Sequence, residues 1–433
     1  MIQGRCRLWN MSIAALVCLT IYNVMLTLKL MYAQECPKQQ QKIIQKVVYQ
    51  KCNQESPSIP DDAFSSLDLN LGRWDNQHKY KMFDNFVLGE KYIILSNVYK
   101  TCLATQGSLD KLPSIIEVAN HWNGPISLAT FAASEDELNA LLFYISYLKK
   151  CNEKINDKVT FHLALTKDRK PKRFNLDIEK LREAKCDSPI EILQHLTRNL
   201  HKGANQWRAK LPYPQNHLRN LARKNCQTKF VFLTDVDIIP SRNMAESLDV
   251  FFNDDVCKKG RKCAFVVPTY EIDERVMFPH NKTELIRMAT KGLARPFHHK
   301  VFIYNQYATN FSRWQTTMDE NNDVHISHPV TNFEFLYEPF YIAPDIVPPH
   351  DERFIGYGYT RNSQVYEMFV AGYEFHVLSP IFTCHWGLQV KKSRPPWREH
   401  QNNLNRKHFD GFKREVFARY NRDPLNFMAS KKN

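Results

Sequence analysis

The chain has 433 residues, is 43% hydrophobic and 24% charged, and carries a formal net charge of +14. That length can bury a large core, the composition excludes an intrinsically disordered protein, and the charge points to anionic partners. Lysine and arginine are spread along the chain and neither a zinc-finger spacing nor an RNP-like motif is present, so nucleotide-sugars, acidic glycans or phospholipid surfaces suit the charge better than nucleic acid.

Residues 1–7 include Arg5 and Arg7, and Leu8–Leu28 follows as 21 residues without a charge. Such a run is long enough to cross a hydrocarbon core, and the arginines before it keep the short tail in the cytosol. The expectation is an uncleaved signal anchor at 8–28 and a single-pass type II membrane protein whose bulk is luminal. A cleaved signal peptide is the alternative, but the run is long for one and Ala33 lacks a small-x-small setting. Nine cysteines follow: Cys36, Cys52, Cys102, Cys151, Cys186, Cys226, Cys257, Cys263 and Cys384. In an oxidising lumen several should pair, with Cys257 and Cys263 near enough for a local clasp; the full connectivity is not readable. The odd count leaves one free or one linking chains, and Cys36 and Cys52 are placed to join a homodimer. Asn281-Lys-Thr and Asn310-Phe-Ser are sequons for N-glycosylation in that compartment. Residues 29–84 are polar, with Gln-rich and Pro/Ser-containing stretches, and read as a luminal stem with a short helix over Lys42–Gln50.

The globular part is expected over 85–433. Lys91–Val98 suits a strand, and the turn at Gly124-Pro125 leads into another that ends at Phe131. Ser134-Glu-Asp-Glu137 forms a capping box, after which Leu138, Leu141, Leu142, Ile145 and Leu148 keep helical spacing. Val159–Leu165 is the next strand, which completes a βαβ unit and sets the fold class as α/β with a largely parallel sheet. Helices are expected over Ile190–His201 and Asn216–Cys226. The run Phe230-Val-Phe-Leu-Thr234 is a buried strand, a helix follows from Asn243, and Cys263–Val267 is a further strand. On this reading 85–268 is a nucleotide-sugar half. Residues 269–433 are less regular, rich in Tyr, Phe, His, Pro and Trp, and suit an acceptor groove in which rings stack on sugars.

Asp235 and Asp237 stand at the carboxyl end of that buried strand, where an open α/β sheet faces its ligand crevice. Two hard oxygen ligands there can hold a divalent cation, and the cation can hold a diphosphate. His385, after the apolar run Val377–Phe382, is the best candidate for a third ligand, and imidazole with two carboxylates suits manganese. A general base for an acceptor hydroxyl can come from Asp351 or Glu352, which precede a loop made tight by Gly356 and Gly358. Arg219 and Asn220 can reach a nucleotide from the helix before the metal strand, and the strand with Ser127 and Ala129 can lie beside base and ribose. No Gly-x-Ser-x-Gly elbow, Walker loop, His-Glu-x-x-His or Gly-x-Gly-x-x-Gly is present, which excludes the chemistries built on them.

Five segments occur in one order over roughly residues 85 to 425: Gly124-Pro-Ile-Ser-Leu-Ala129, Leu218-Arg-Asn-Leu-Ala222, Phe232-Leu-Thr-Asp-Val-Asp-Ile-Ile-Pro-Ser241, Asp351-Glu-Arg-Phe354 and Val377–Gly387. In these segments the chain resembles glycosyltransferase family 49. The resemblance implies a GT-A fold with a Rossmann-like mixed sheet, an inverting mechanism, a UDP-sugar donor and Mn2+ on Asp235, Asp237 and His385. It further implies a Golgi enzyme moving glucuronate from UDP-glucuronate in β-1,4 linkage to a xylose-terminated O-mannosyl-type glycan on a glycoprotein. A β-1,3-N-acetylglucosaminyltransferase using UDP-GlcNAc is the alternative within the class, and an inactive scaffold or lectin-like subunit of a glycosyltransferase complex the one outside it. The base carries over less directly, because Thr360-Arg361-Asn362 after the glycine loop supply no carboxylate; Asp351 or Glu352 is the expectation.

Overall fold

The computed structural model describes residues 17–28 and 67–428, apart from 170, 199, 201–210, 254–255, 258–259, 320–322 and 392–394. Residues 17–28 form a helix whose Val17, Leu19, Ile21 and Met25 are exposed. Among the described residues no helix is long and apolar enough to cross a membrane. The first half of the expected anchor lies outside the described residues, as do Cys36, Cys52 and the helix expected at Lys42–Gln50.

The described residues from 67 onward contain fourteen strands: β1 Arg73–Trp74, β2 Tyr80–Val87, β3 Thr101–Ser108, β4 Ile126–Ala132, β5 Val159–Thr166, β6 Phe230–Leu233, β7 Ile239–Pro240, β8 Lys262–Val267, β9 Thr269–Ile272, β10 Ala294–Pro296, β11 His325–Pro329, β12 Phe340–Pro344, β13 Tyr373–Ser379 and β14 Thr383–Trp386. Ten of them make one mixed sheet in the order β1-β2-β5-β4-β3-β6-β12-β8-β13-β11. β3 pairs in parallel with both β4 and β6, β4 with β5, and β8 with β13, while β2, β11 and β12 run antiparallel to their neighbours. Every residue of β4 and β5 is buried, as expected for parallel strands covered on both faces.

The two faces follow from alternation along each strand. Cys102, Ala104, Ala129, Phe131, Val231 and Leu233 pack under Leu218, Leu221 and Ala222 of the helix Gln215–Lys224. Leu103, Leu128, Phe161 and Phe232 point the other way, into the core that takes Leu138, Leu141 and Leu148 from the helix Glu135–Cys151. That helix starts at the expected cap: Ser134 Oγ accepts from Glu137 N at 3.3 Å, and Glu137 Oε2 reaches back to Ala133 N at 2.9 Å. Disulfides join Cys102 to Cys226, Cys151 to Cys186 and Cys257 to Cys263, and Cys384 is a buried free thiol.

Two expectations are corrected. Residues 92–98 form a helix, not a strand, and the strand is Thr101–Ser108. Its small and polar residues hide it in a residue-by-residue reading, yet it is buried between β4 and β6. The folded unit begins before residue 85, since β2 pairs with β5 inside the large sheet. The two halves that meet at 268 share one sheet, because β12 and β13 from the second half complete the sheet begun in the first.

Candidate active site

β3, β4 and β5 run outward from β3 in one direction and β6 lies on its other side, so the strand order reverses between β3 and β6. Ligands bind outside the carboxyl ends of strands at such a switch point. Asp235 stands two residues past the end of β6, and the 3.0 Å bond from Ile238 N to Asp235 O closes the turn that carries both aspartates. Gln106, near the end of β3, donates to Asp235 Oδ1 at 3.2 Å and receives the Tyr213 hydroxyl at 2.7 Å.

Two buried guanidiniums share that same oxygen. Arg361 lies 2.7 Å and Arg219 3.4 Å from Asp235 Oδ1. Burial works against the ionised carboxylate, but the charges of Arg361 and Arg219 overcome it and hold Asp235 at about 2. Burial and the neighbouring Arg361 lower the Arg219 guanidinium to about 10. Arg361 also lies 4.3 Å over the Phe340 ring, a cation–π contact that sets its plane. Asp235 is therefore ionised and aligned by Oδ1, with its other oxygen left for a ligand.

Asp237 is held differently. Its Oδ2 lies 3.2 Å from Lys111 Nζ and 3.7 Å from His385 Nε2. His385 arrives on β14, one of the two inner strands of a four-stranded sheet ordered β10-β9-β14-β7. Cys384 pairs with Ile239 in antiparallel register, so the next residue is carried back alongside Asp237. Burial disfavours the ionised Asp237 carboxylate, yet the histidine contact draws its pKa below the ordinary value. At 3.7 Å the two atoms are beyond hydrogen-bond length but close enough to share a cation. Among the described residues His385 Nδ1 has no hydrogen-bond partner. The residues present thus fit a divalent ion on Asp237 and His385, with Asp235 near enough for its charge to act on Asp237.

The other expected site residues go elsewhere. Ser127 and Ala129 are fully buried in β4 under the helix, and Ser127 Oγ is spent on Ala222 O at 2.6 Å and His162 Nε2 at 2.8 Å. Their side chains face the helix and not the crevice, which corrects the expectation of direct nucleotide contact. Asn220 donates to His350 O at 2.8 Å and Glu352 Oε1 at 3.0 Å, so it braces a loop. Asp351 is forked to Arg353, which also grips Glu415. Glu352 faces His217. Neither acid contacts Asp235, Asp237 or His385. The glycine loop packs on the C-terminal helix Pro396–Tyr420: Asn405 Nδ2 donates to Ile355 O, Tyr357 O and Gly358 O, and Gly356 and Gly358 take φ of +77° and +87°. Asn281 and Asn310 are exposed and cap the helices that follow them.

The fold adds Gln106, Lys111, His298, Glu338 and Arg361 to the site. Glu338 is close enough to Arg361, Arg219 and Asp235 to feel their charges. Burial raises its pKa above the ordinary carboxylate value, and the arginines offset part of the rise. Asn305 Nδ2 donates to Glu338 Oε2 at 3.0 Å and touches His298 Nδ1 at 3.3 Å. Burial, then the charge of His385, lowers His298 to about 4, so it is neutral at pH 7. In the sequence Glu338 stands in a stretch notable for its aromatic residues and Arg361 in one that offers no carboxylate, so neither announces itself.

A mixed α/β sheet with paired aspartates, an opposed histidine and converging guanidiniums at its switch point is the arrangement of a UDP-sugar-dependent glycosyltransferase. The chain belongs to glycosyltransferase family 49: the family profile described as "Glycosyl-transferase for dystroglycan" matches residues 100–421. It is 32% identical over 329 residues to "Beta-1,4-glucuronyltransferase 1" of Homo sapiens, covering 74% of this chain and 76% of that protein. The protein of the same name from Danio rerio is 28% identical over 368 residues, 82% of this chain and 83% of that one. "Xylosyl- and glucuronyltransferase LARGE2s" of Gallus gallus is 26% identical over 347 residues, 76% of this chain but 38% of that protein.

Proposed function

We propose that this protein is an inverting GT-A glycosyltransferase of the Golgi membrane that moves glucuronate from UDP-glucuronate in β-1,4 linkage onto a xylose-terminated O-mannosyl-type glycan. The observation that carries the transfer chemistry is Asp237 beside His385 at the switch point, with Asp235 held ionised by two arginines. The donor rests on the names of the relatives. The apolar run at 8–28 supports a type II anchor, and the exposed Asn281 and Asn310 support glycosylation in the lumen.

Asp237 and His385 would hold the cation with the free oxygen of Asp235, and this donor set suits Mn2+. When bound, the ion neutralises charge on the departing diphosphate. Arg219 and Arg361 keep Asp235 ionised and oriented throughout. Asp351 and Glu352 are engaged away from this cluster, so we assign the base to Glu338. Its carboxylate takes the proton of the acceptor hydroxyl while that oxygen attacks the anomeric carbon opposite the leaving diphosphate, which inverts the centre. A carboxyl with a raised pKa is better matched to this task than one held at 2.

The test is a panel of UDP-sugars with manganese and a xylose-terminated acceptor, read as UDP release and product mass. UDP-glucuronate is the expected donor. Turnover confined to UDP-GlcNAc on an N-acetyllactosamine acceptor would overturn the donor assignment, and sugar released with no acceptor present would make the protein a hydrolase. Unchanged product in cells carrying Asp235→Asn with Asp237→Asn would make it a scaffold.

A further inference from the structure

Away from the aspartate pair, three chain segments bring ligating side chains to one point. Asp75 sits in the turn between β1 and β2, His217 in the first turns of the helix Gln215–Lys224, and Glu352 in the loop after β12. Their ligating atoms lie within 4.8 Å of one another. His217 Nε2 is 3.2 Å from Asp75 Oδ2 and 3.7 Å from Glu352 Oε2. His217 and Arg219 are two residues apart on a helix, about 200° around its axis, so the cluster faces away from the side that meets Asp235.

The cluster is built and rigid. Asp75 Oδ1 accepts from Lys79 N at 2.7 Å and Tyr80 N at 2.8 Å, and the Tyr80 ring packs 4.8 Å from that of His217. Asn220 Nδ2 fixes Glu352 Oε1 at 3.0 Å, which leaves Oε2 turned to the histidine. The Asp75 and His217 side chains are each 1% exposed, while Glu352 at 24% leaves one side open to solvent.

Backbone N–H groups of Gln77, Lys79 and Tyr80 meet the Asp75 carboxylate, but among the described residues no lysine or arginine neutralises the cluster. Two carboxylates converge on one imidazole. One Nε2–H can serve only one of them well, and among the described residues the ring's Nδ1 has no hydrogen-bond partner. A buried excess of negative charge is costly, and a divalent cation removes it. The spacing fits as well: ligands about 2.0–2.1 Å from a tetrahedral zinc ion stand about 3.3–3.4 Å from one another, between the two distances to His217.

We propose that Asp75, His217 and Glu352 form a second divalent-cation site, suited to Zn2+, with water at the open fourth position. It is independent of the donor site. It ties the turn before β2, the central helix and the Asp351–Glu352 loop to one ion, so its role is structural. Glu352 is thereby a ligand and not a base.

The test uses the purified full-length chain, stripped with chelator and dialysed against zinc. In the Asp235→Asn/Asp237→Asn background, which disables the donor site, about one equivalent of zinc should remain by elemental analysis, and zinc should raise the unfolding midpoint. Adding Glu352→Gln, isosteric and at the most exposed ligand, should weaken zinc at least about 100-fold with unchanged circular dichroism. Cobalt(II) in place of zinc should give the visible absorption of a four-coordinate centre, lost in Glu352→Gln. Should the aspartate double variant unfold, wild type and Glu352→Gln are compared directly, and a difference of about one equivalent is expected. No retained zinc, or equal zinc affinity with and without Glu352→Gln, overturns the proposal and leaves the three side chains as a hydrogen-bonded cluster held by protein alone.

Discussion

His162 couples the central sheet to pH in a way that can be measured. It lies on β5, fully buried. Its Nδ1 accepts from Asn85 N at 2.9 Å. Its Nε2 is 2.8 Å from Ser127 Oγ, whose own proton goes to Ala222 O. Nε2 is therefore the donor and Nδ1 the acceptor, and the neutral ring is satisfied at both ends. A second proton would have to sit on Nδ1, facing the Asn85 N–H. Burial accordingly lowers this histidine from 6.5 to about 3. The unfolded chain takes up the proton near 6.5 and the folded chain does not, so in the window between 6.5 and 3 stability falls as pH falls, and above it His162 contributes no slope. At about pH 4.5 the loss is roughly two pH units, or ~2.7 kcal/mol. Urea unfolding with disulfides intact, at about pH 7 and about pH 4.5, measures it against His162→Gln, which offers one donor and one acceptor but does not titrate. Other ionisable groups are common to both chains, so the stability gap favouring wild type should shrink by ~2.7 kcal/mol on acidification. A gap that stays constant between the two pH values would refute the reasoning.

Asp237→Asn should lower turnover by about three orders of magnitude without moving the urea midpoint, since several kcal/mol of charge stabilisation depend on the ion it holds. Glu338→Gln should lower kcat about 10²- to 10⁴-fold with donor KM little changed. It should also abolish the acid limb of the pH–rate profile, which in wild type lies above the ordinary 4.5 of a glutamate because burial raises Glu338. Gly356→Ala should cost about 2 kcal/mol in urea unfolding: φ is +77°, and the new methyl would run into Gln401 Oε1, which is bonded to Tyr357 N.

What could be read from the sequence was whatever a contiguous stretch encodes. Phe230–Leu233 announces a buried strand through its own side chains, and Asp235 and Asp237 follow it, so half the site was legible from a dozen residues. The helix 92–98 was misread because an apolar run that short fits either period, and β3 was missed because its identity as a strand lies in its neighbours. Arg361 was out of reach for a further reason. It meets Asp235 across 126 residues, by a register that depends on β12 lying between β6 and β8. Once that contact is seen, the two aspartates cannot be equivalent. Asp235 has one oxygen saturated by two guanidiniums and an amide, and at about 2 it stays ionised with or without an ion. Asp237 has a distant histidine and an exposed lysine, an arrangement that a cation would tighten. The first aspartate is preorganised and the second is adaptable, so loss of the ion should disturb Asp237 and His385 while leaving Asp235 where Arg219 and Arg361 hold it.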